Sequence, residues 1–186
     1  MSSGGESDDA RLTHLNSMRK KLKEVQGGDR LKLWLEYTHL QDEDPELQDW
    51  MTTCLPYLHL QSWSMDEPKH PKVVFKYTVQ RNNCNRLGNA HGGQIASLFD
   101  FVTSMPLALI NKPGFWFYLG VSRTLNVTYL KPIPNGEEIL VEAELVSIGR
   151  TLCSIRGTMR RESDGTLLAT CEHGKYNTDL EPSSKI

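Results

Sequence analysis

The stretch "NRLGNAHGGQIASLFDFV" (Asn85–Val102) sets a histidine and two glycines in front of an apolar segment that carries a single acid. Apolar residues surround most of the segment that follows Gly92, as expected for a helix enclosed by a sheet. Its few polar side chains lie three and four residues apart and therefore share one narrow stripe: Ser97, Asp100, Thr103 and Ser104. The sequence predicts a buried central helix with Asp100 in the middle of that stripe.

Short apolar runs with strand-like alternation flank this helix. "YLHLQSWSM" (57–65) and "KVVFKYTVQ" (72–80) predict a hairpin, and "WFYLGVSRTLNVTYL" (116–130) predicts a long strand with Ser122 on its polar face. Three further runs, separated by turn signals, predict an antiparallel meander: 137–149, 151–162 and 166–177. The pattern indicates an α+β fold, in which a curved antiparallel sheet surrounds one helix.

The chain divides into four predicted parts. Residues 1–10 are mostly serine, glycine and acidic residues, a composition that predicts a disordered tail. Residues 179–186 are predicted to form a second tail. Residues 11–56 predict a helical segment that precedes the main domain at 57–178.

This N-terminal segment predicts three helices. The first is amphipathic and ends at Gly27-Gly28, the second contains Trp34, and the third begins at Asp44 and Pro45 and stops at Pro56. Their apolar stripes favour packing on the chain's own domain, with a partner-binding module as the alternative.

Composition excludes several classes of protein. The net charge of -2 argues against a nucleic-acid-binding face, although residues 71–186 hold 13 Lys/Arg against 10 Asp/Glu and could favour an anionic ligand. The four cysteines form no CxxC pair and the histidines are scattered, so we expect no metal site and no disulfide. We expect no membrane span, and a cytoplasmic location with the mitochondrion as the alternative.

The paired glycines at the helix start suit an anion, because bare N–H groups and the helix dipole favour negative charge there. A tight strand-to-helix turn is the plainer interpretation of Gly92 and Gly93, and capping is the plainer role for His91. Gly92 and Asp100 lie about 12 Å apart along one helix, too far to serve one reacting centre. If both act together, they come from two copies of the chain in a symmetric dimer.

Together, "NRLGNAHGGQIASLFD" and "GVSRTLNVTYLKPIPNGEEILVEAELVSIGRTL" resemble the hotdog-fold acyl-CoA thioesterases of the phenylacetate-pathway and thioesterase-superfamily-member-2 type. The resemblance covers residues 57–177 and leaves 1–56 uncovered. It implies a hotdog fold, self-association as a dimer or tetramer, an acyl-CoA or other acyl thioester as substrate, and no cofactor beyond the coenzyme A of the substrate.

The resemblance also implies residue roles. The Gly92 amide binds the thioester carbonyl oxygen, and Asp100 of the partner subunit acts as general base or nucleophile. Asn85 orients the water or the carbonyl, and Ser122 bonds the water or Asp100. His91 and Gly93 form the rest of the helix start that meets the substrate.

The phosphates of coenzyme A require cations at the rim of the site. Arg150, His173 and Lys175 match basic positions of the family, with solvated charge at strand ends as the alternative interpretation. The long N-terminal segment and "NKPGFWFYL" (111–119) depart from the compact members and leave the acyl group open.

Three functions compete with acyl-CoA hydrolysis. A thioesterase acting on a carrier-protein-bound or biosynthetic acyl intermediate uses the same residues. A hotdog dehydratase needs a catalytic histidine with an acid, whereas His91 stands only at the very start of the helix. A non-catalytic acyl-binding or adaptor protein would not require Asn85, Gly92, Asp100 and Ser122 together.

Overall fold

The computed structural model describes residues 13–14, 16–42, 48–66 and 70–179. The predicted tail at 1–10, residues 180–186 and the predicted helix start at Asp44 and Pro45 lie outside these residues. Helix α1 has helical residues 13–14 and 16–21, and it precedes these elements: α2 (Gly27–Asp42), a 3₁₀ turn (Leu55–Tyr57), β1 (Leu58–Ser64), β2 (Lys72–Thr78), a 3₁₀ turn (Arg81–Asn83), α3 (Gly92–Ile110), β3 (Val121–Tyr129), β4 (Glu138–Ile148), β5 (Leu152–Arg161) and β6 (Leu167–Tyr176).

The six strands form one antiparallel sheet in the order β1-β2-β4-β5-β6-β3. The predicted hairpin of β1 with β2 and the meander of β4, β5 and β6 are both confirmed. β3 pairs with β6 instead of with β4, its neighbour in the chain, and so forms one edge of the sheet. The predicted α+β architecture is confirmed, because α3 packs against five of the six strands.

Helix α3 is the core of this arrangement. Its 19 residues are apolar enough to count as a candidate membrane span by length and composition. However, 67% of its most apolar window is buried within the protein. Leu98, Phe99 and Val102 are fully buried beneath the sheet. Its burial is that of a core helix of a folded domain.

Gly157 of β5 lets α3 approach the sheet closely. A Cβ built there would lie 2.8 Å from the Phe99 ring and 3.0 Å from Thr103 Cγ2. Both contacts are with buried side chains of α3, so neither can move away freely.

We expect Gly157→Ala to lower the free energy of unfolding by about 1–3 kcal/mol, because one added methyl overpacks the contact between α3 and β5. Urea denaturation measures the loss. Gly149→Ala is the matched control, since a Cβ there meets its nearest atom, Leu152 O, at an ordinary 3.5 Å. Equal stability of the two variants would contradict the close approach.

β3 begins later than the sequence indicates. Residues 116–120 were predicted as strand, but Trp116 and Leu119 have left-handed φ values of 56° and 61°. Trp116 is fully buried and its indole Nε1 donates to Gly149 O at 2.8 Å. This tertiary contact holds the backbone in a conformation that strand propensity disfavours.

The N-terminal segment packs on its own domain, as predicted. Met18, Leu22 and Tyr37 form a buried cluster with Phe117, and the Arg30 guanidinium lies 4.7 Å from the centre of the Phe117 ring. Gly27-Gly28 begins α2, whereas the sequence placed it at the end of the preceding helix.

Residues 50–54 form turns where the sequence predicted a third helix. Local side-chain bonds replace the helical pattern here: Asp49 Oδ1 accepts from the Met51 amide and Thr52 Oγ1 accepts from the Asp49 amide. The Trp50 indole donates to Ser97 on α3 at 2.5 Å. These turns therefore lie against the start of the central helix.

Candidate active site

At the start of α3, the backbone amide of Gly92 is the one that a ligand could bind. His91 is the N-cap, with φ -67° and ψ 140°, and its Nδ1 accepts from the Gly93 amide at 3.0 Å. The capping role of His91 is confirmed, and the Gly93 amide is used within the helix start. The hydrogen bonds of the described residues include no acceptor for the Gly92 amide, which therefore remains available to a ligand.

Asn85 supplies a second donor beside this amide. Its Oδ1 accepts from the backbone amides of Leu87 and Asn89, at 2.9 and 3.2 Å. Because the oxygen is fixed by the loop, the side-chain NH₂ is the end left for a ligand. Asn85 and Gly92 both line one cavity of about 440 Å³, which we call the Gly92 cavity.

Tyr129, at the end of β3, also lines the Gly92 cavity and was not predicted as a site residue. Its hydroxyl donates to Gly92 O at 2.9 Å, which ties the edge strand to the helix start. Lys131 lies on the same wall and gives the cavity a positive charge. Tyr129 and Lys131 lie at and just after the end of β3. The pairing of β3 with β6, which the sequence does not show, places them at the Gly92 cavity.

Asp100 lies further along α3, and its side chain is 48% exposed. Ser122 Oγ donates to Asp100 Oδ1 at 2.5 Å, so the pairing of these two residues is observed. The resemblance predicted that Ser122, on the polar face of its strand, bonds the water or Asp100, and the observed contact with Asp100 agrees with that prediction. A bulge in the pairing of β3 with β6 lies between Ser122 and Thr124, directly beside this contact.

His173 lies behind Asp100 and is completely buried. Thr103 Oγ1 hydrogen-bonds both Phe99 O and His173 Nδ1, the latter at 2.6 Å. The other ring nitrogen, Nε2, lies 3.5 Å from Asp100 Oδ1. Burial, with the positive charge of Lys175, lowers the pKa of His173 to about 4, and Asp100 opposes this shift.

The depressed pKa of His173 predicts an acid-sensitive fold. Between the ordinary value of 6.5 and about 4, the unfolded chain binds more protons than the folded chain. This group's contribution to stability is present above pH 6.5 and falls by about 3 kcal/mol as the pH drops toward 4. His173→Asn keeps a donor for Thr103 and removes the titration, so we expect a flatter dependence of unfolding free energy on pH.

Urea denaturation between pH 4 and pH 7 measures that dependence. His59→Asn, at an exposed position of β1, is the control and should keep the slope of the native protein. A slope unchanged by His173→Asn would contradict a neutral buried histidine.

Lys175 is also buried, with 4% exposure, and its Nζ donates to Ser104 Oγ at 2.6 Å. Ser104 in turn donates to the backbone oxygen of Asp100 at 2.7 Å. Burial lowers the pKa of Lys175, while Asp100 acts to raise it. The Lys175 amine thus lies beneath the segment of α3 that carries Asp100.

These positions differ from the rim predicted for His173 and Lys175. Both side chains lie on the inner face of β6 under α3, where they cannot meet phosphates in solvent. Strand alternation could have indicated this, because residues 171, 173 and 175 lie on the same face of β6 and Cys171 is an apolar residue suited to the buried face. Arg150 is exposed at the turn between β4 and β5, as a rim residue requires.

The arrangement has two halves, separated along one helix. The donors of Asn85 and Gly92 stand at its start, and Asp100 with Ser122 stands eight residues later, about 12 Å along the axis. The first half can stabilise an oxyanion, and the second can accept a proton from water. No group of three or more His, Cys, Asp or Glu that could hold a metal ion occurs among the described residues.

Known proteins are similar to this chain in sequence and in fold. The Thioesterase superfamily domain matches residues 87–168. Acyl-coenzyme A thioesterase 13 of Mus musculus is 31% identical over 105 residues, which cover 56% of this chain and 72% of that protein. The crystal structure of zebra fish thioesterase superfamily member 2 has a TM-score of 0.66 and 26% identity, and the match covers 79% of this chain and 97% of that one.

The structure of the E. coli PaaI protein from the phenylacetic acid degradation operon has a TM-score of 0.54 and 18% identity, over 64% of this chain and 82% of that one. At that identity the likeness concerns the fold alone. The hotdog fold and the resemblance predicted from the sequence are both confirmed. This chain belongs to the thioesterase superfamily and is a thioester hydrolase.

Proposed function

We propose that the protein hydrolyses acyl-CoA to the free acid and coenzyme A, at a site formed by two copies of the chain. The observation that carries this proposal is the separation of the two halves on α3. A base and an oxyanion donor must each come within about 3 Å of their reacting atoms. Two α3 helices packed antiparallel across a two-fold axis bring Gly92 of one chain close to the partner's Asp100.

The edge formed by β3 supports this association. An edge strand carries unpaired backbone groups, and its neighbourhood here is unusually apolar for a solvent-facing surface. Exposed large apolar residues lie on and beside β3 and at adjacent strand ends: Val121, Tyr129, Leu130, Leu152 and Tyr176. Pairing of two β3 edges would cover part of this surface and enclose Asp100 and Ser122.

Hydrolysis then follows ordinary acyl transfer. Asp100 takes a proton from a water held by Ser122 as the water oxygen adds to the thioester carbonyl carbon. The Gly92 amide and the Asn85 side-chain NH₂ of the other chain bind the resulting oxyanion. When the carbonyl re-forms, the carbon–sulfur bond breaks and the thiolate leaves with the proton that Asp100 held.

Two further features support an acyl-CoA as the substrate. Lys131 beside the Gly92 cavity and Arg150 at an exposed turn offer positive charge to the phosphates of coenzyme A. The mouse relative at 31% identity is named an acyl-coenzyme A thioesterase. A cytoplasmic location remains a prediction.

Thiol release from a panel of acyl-CoAs tests the proposal, with an acyl carrier protein thioester included to distinguish the carrier-linked substrate. We expect release from coenzyme A thioesters by a protein that light scattering shows to be a dimer or tetramer. Release from no thioester at any chain length would overturn the hydrolase. A monomer with full activity would overturn the shared site.

A further inference from the structure

A second cavity, of about 500 Å³, also lies at the start of α3. We call it the Gln94 cavity, because Gln94 lines it from the first turn of α3. Its other walls are the turns around Trp50, which precede β1, and the 3₁₀ turn around Asn83. His91, one residue before Gly92, also lines the Gln94 cavity.

Gln94 is buried, with 6% exposure, and neither its Oε1 nor its Nε2 has a hydrogen-bond partner within the described structure. Buried amide groups are rarely left unpaired, because the lost bonds to water are not replaced. Neighbouring polar groups are already engaged: the Trp50 indole bonds Ser97, and Asn83 bonds both Thr53 and Tyr77. Among the described residues, none bonds the Gln94 side chain, so its amide is open to a ligand or to water.

His91 offers one more donor on this side. Because its Nδ1 accepts from the Gly93 amide, the neutral ring carries its proton on Nε2. The described residues that line the cavity include Asp49 and no Lys or Arg. A phosphate or carboxylate would meet no countercharge here, whereas an uncharged group that both donates and accepts would satisfy the amide of Gln94.

The two cavities suit the two parts of a bound thioester, the coenzyme A part and the acyl part. Gly92 and Gln94 are two residues apart, so they point to roughly opposite sides of the helix, about 3 Å apart along its axis. A carbonyl bound at the Gly92 amide directs its sulfur and its acyl carbon away from each other. Lys131 places positive charge on the Gly92 side and Asp49 negative charge on the Gln94 side, so the anionic coenzyme belongs to the former.

We propose that the Gln94 cavity receives the acyl group of the substrate and selects acyl groups that carry a hydroxyl or an amide, which bonds the Gln94 side chain. This inference rests on the proposed thioester hydrolysis and specifies its substrate class. The pantetheine arm of coenzyme A carries the same kind of polar group, and the experiment separates the two sources.

Matched thioester pairs that differ by one polar group test the selection. The pairs are 3-hydroxybutanoyl-CoA with 3-methylbutanoyl-CoA, and 6-hydroxyhexanoyl-CoA with heptanoyl-CoA. We expect the native protein to favour the hydroxyl member of at least one pair by about tenfold or more in kcat/KM, because the apolar member leaves Gln94 unpaired. Gln94→Met keeps the shape of the side chain and should abolish or reverse that preference.

Gln61→Met, at an exposed position of β1, is the matched control and should keep the native preference. Gln94→Leu provides a second apolar variant if Gln94→Met unfolds, and thermal unfolding checks each protein. Equal rates within both pairs for the native protein would mean that Gln94 binds ordered water only, and would overturn the proposal. So would a hydroxyl preference that Gln94→Met and Gln94→Leu both retain.

Calorimetric binding of the thioethers S-(3-hydroxybutyl)-CoA and S-(3-methylbutyl)-CoA gives a readout without hydrolysis. A preference for the hydroxyl thioether that Gln94→Met removes supports the subsite, even if no thioester releases thiol and the proposed hydrolysis fails. Free coenzyme A is the third probe. If Gln94→Met weakens coenzyme A as much as it weakens the hydroxyl thioether, the pantetheine arm occupies the cavity and the acyl assignment is overturned.

Discussion

Asp100→Asn is expected to lower kcat for thioester hydrolysis by about 10²–10⁴-fold, the usual contribution of a positioned general base. The substitution keeps the size of the side chain and retains an oxygen that can accept from Ser122 Oγ. What disappears is the ability to take a proton from water. Because Asp100 does not hold the substrate carbonyl in this mechanism, KM should change much less than kcat.

Ser122→Ala is the companion variant, measured with the same acyl-CoA. It removes the bond to Asp100 Oδ1 but leaves the base in place, so its loss in kcat should be smaller. Thiol release at saturating substrate gives kcat for both proteins. An Asp100→Asn protein that keeps native kcat would remove Asp100 from the chemistry, whatever Ser122→Ala does.

The central helix and the places of Gly92 and Asp100 on it could be predicted from the sequence because the signals are local. The apolar pattern after Gly92 spans nearly twenty residues, and glycines at its start with an acid eight positions later mark fixed places on a helix. The pairing of His91 with the first turn follows from the same short stretch. None of these inferences depends on how distant strands pair.

Features that arise from distant contacts were not predictable in this way. The bulge between Ser122 and Thr124 is a property of the pairing of β3 with β6, and nothing within "GVSRTLNV" marks it. The late start of β3 depends on the bond of Trp116 to Gly149. Gln94 resembles any polar residue of a first helical turn until the turns around Trp50 are known to lie against it.

His173 and Lys175 were misplaced for a different reason. Their match to basic positions of the family predicted them at the rim of the site, whereas the alternation of β6 puts both on the inner face with Cys171. The structure offsets the cost of burying them with bonds to Thr103 and Ser104. Buried polar groups of this kind concentrate behind Asp100, where they fix its segment of α3.

Gly92→Pro is expected to lose most of the hydrolytic activity, because proline lacks the amide hydrogen that binds the oxyanion. Gly92 is the first residue of α3, a position where proline fits because its missing N–H has no partner within the helix. His91, with φ -67° and ψ 140°, already has the extended conformation that a following proline requires. Loss of a single oxyanion donor lowers kcat by about 10²–10³-fold.

Gly92→Ala is the matched control, since it keeps the amide. A Cβ at this position would lie 3.5 Å from the Tyr129 ring, an ordinary contact, so the variant should fold and retain most of its activity. Thermal unfolding of both variants separates a lost donor from a lost fold. Equal activity in Gly92→Ala and Gly92→Pro would show that the amide does not bind the oxyanion.

Co-expression of Gly92→Pro with Asp100→Asn should restore activity that neither variant has alone. In a dimer with shared sites, each hybrid holds one site with both defects and one native site, so random pairing gives about a quarter of the native sites. If each chain held a complete site, every site in the mixture would carry a defect and activity would stay at the level of the variants. Differently tagged chains allow the hybrid to be purified, and a well-folded hybrid without activity would exclude the shared site.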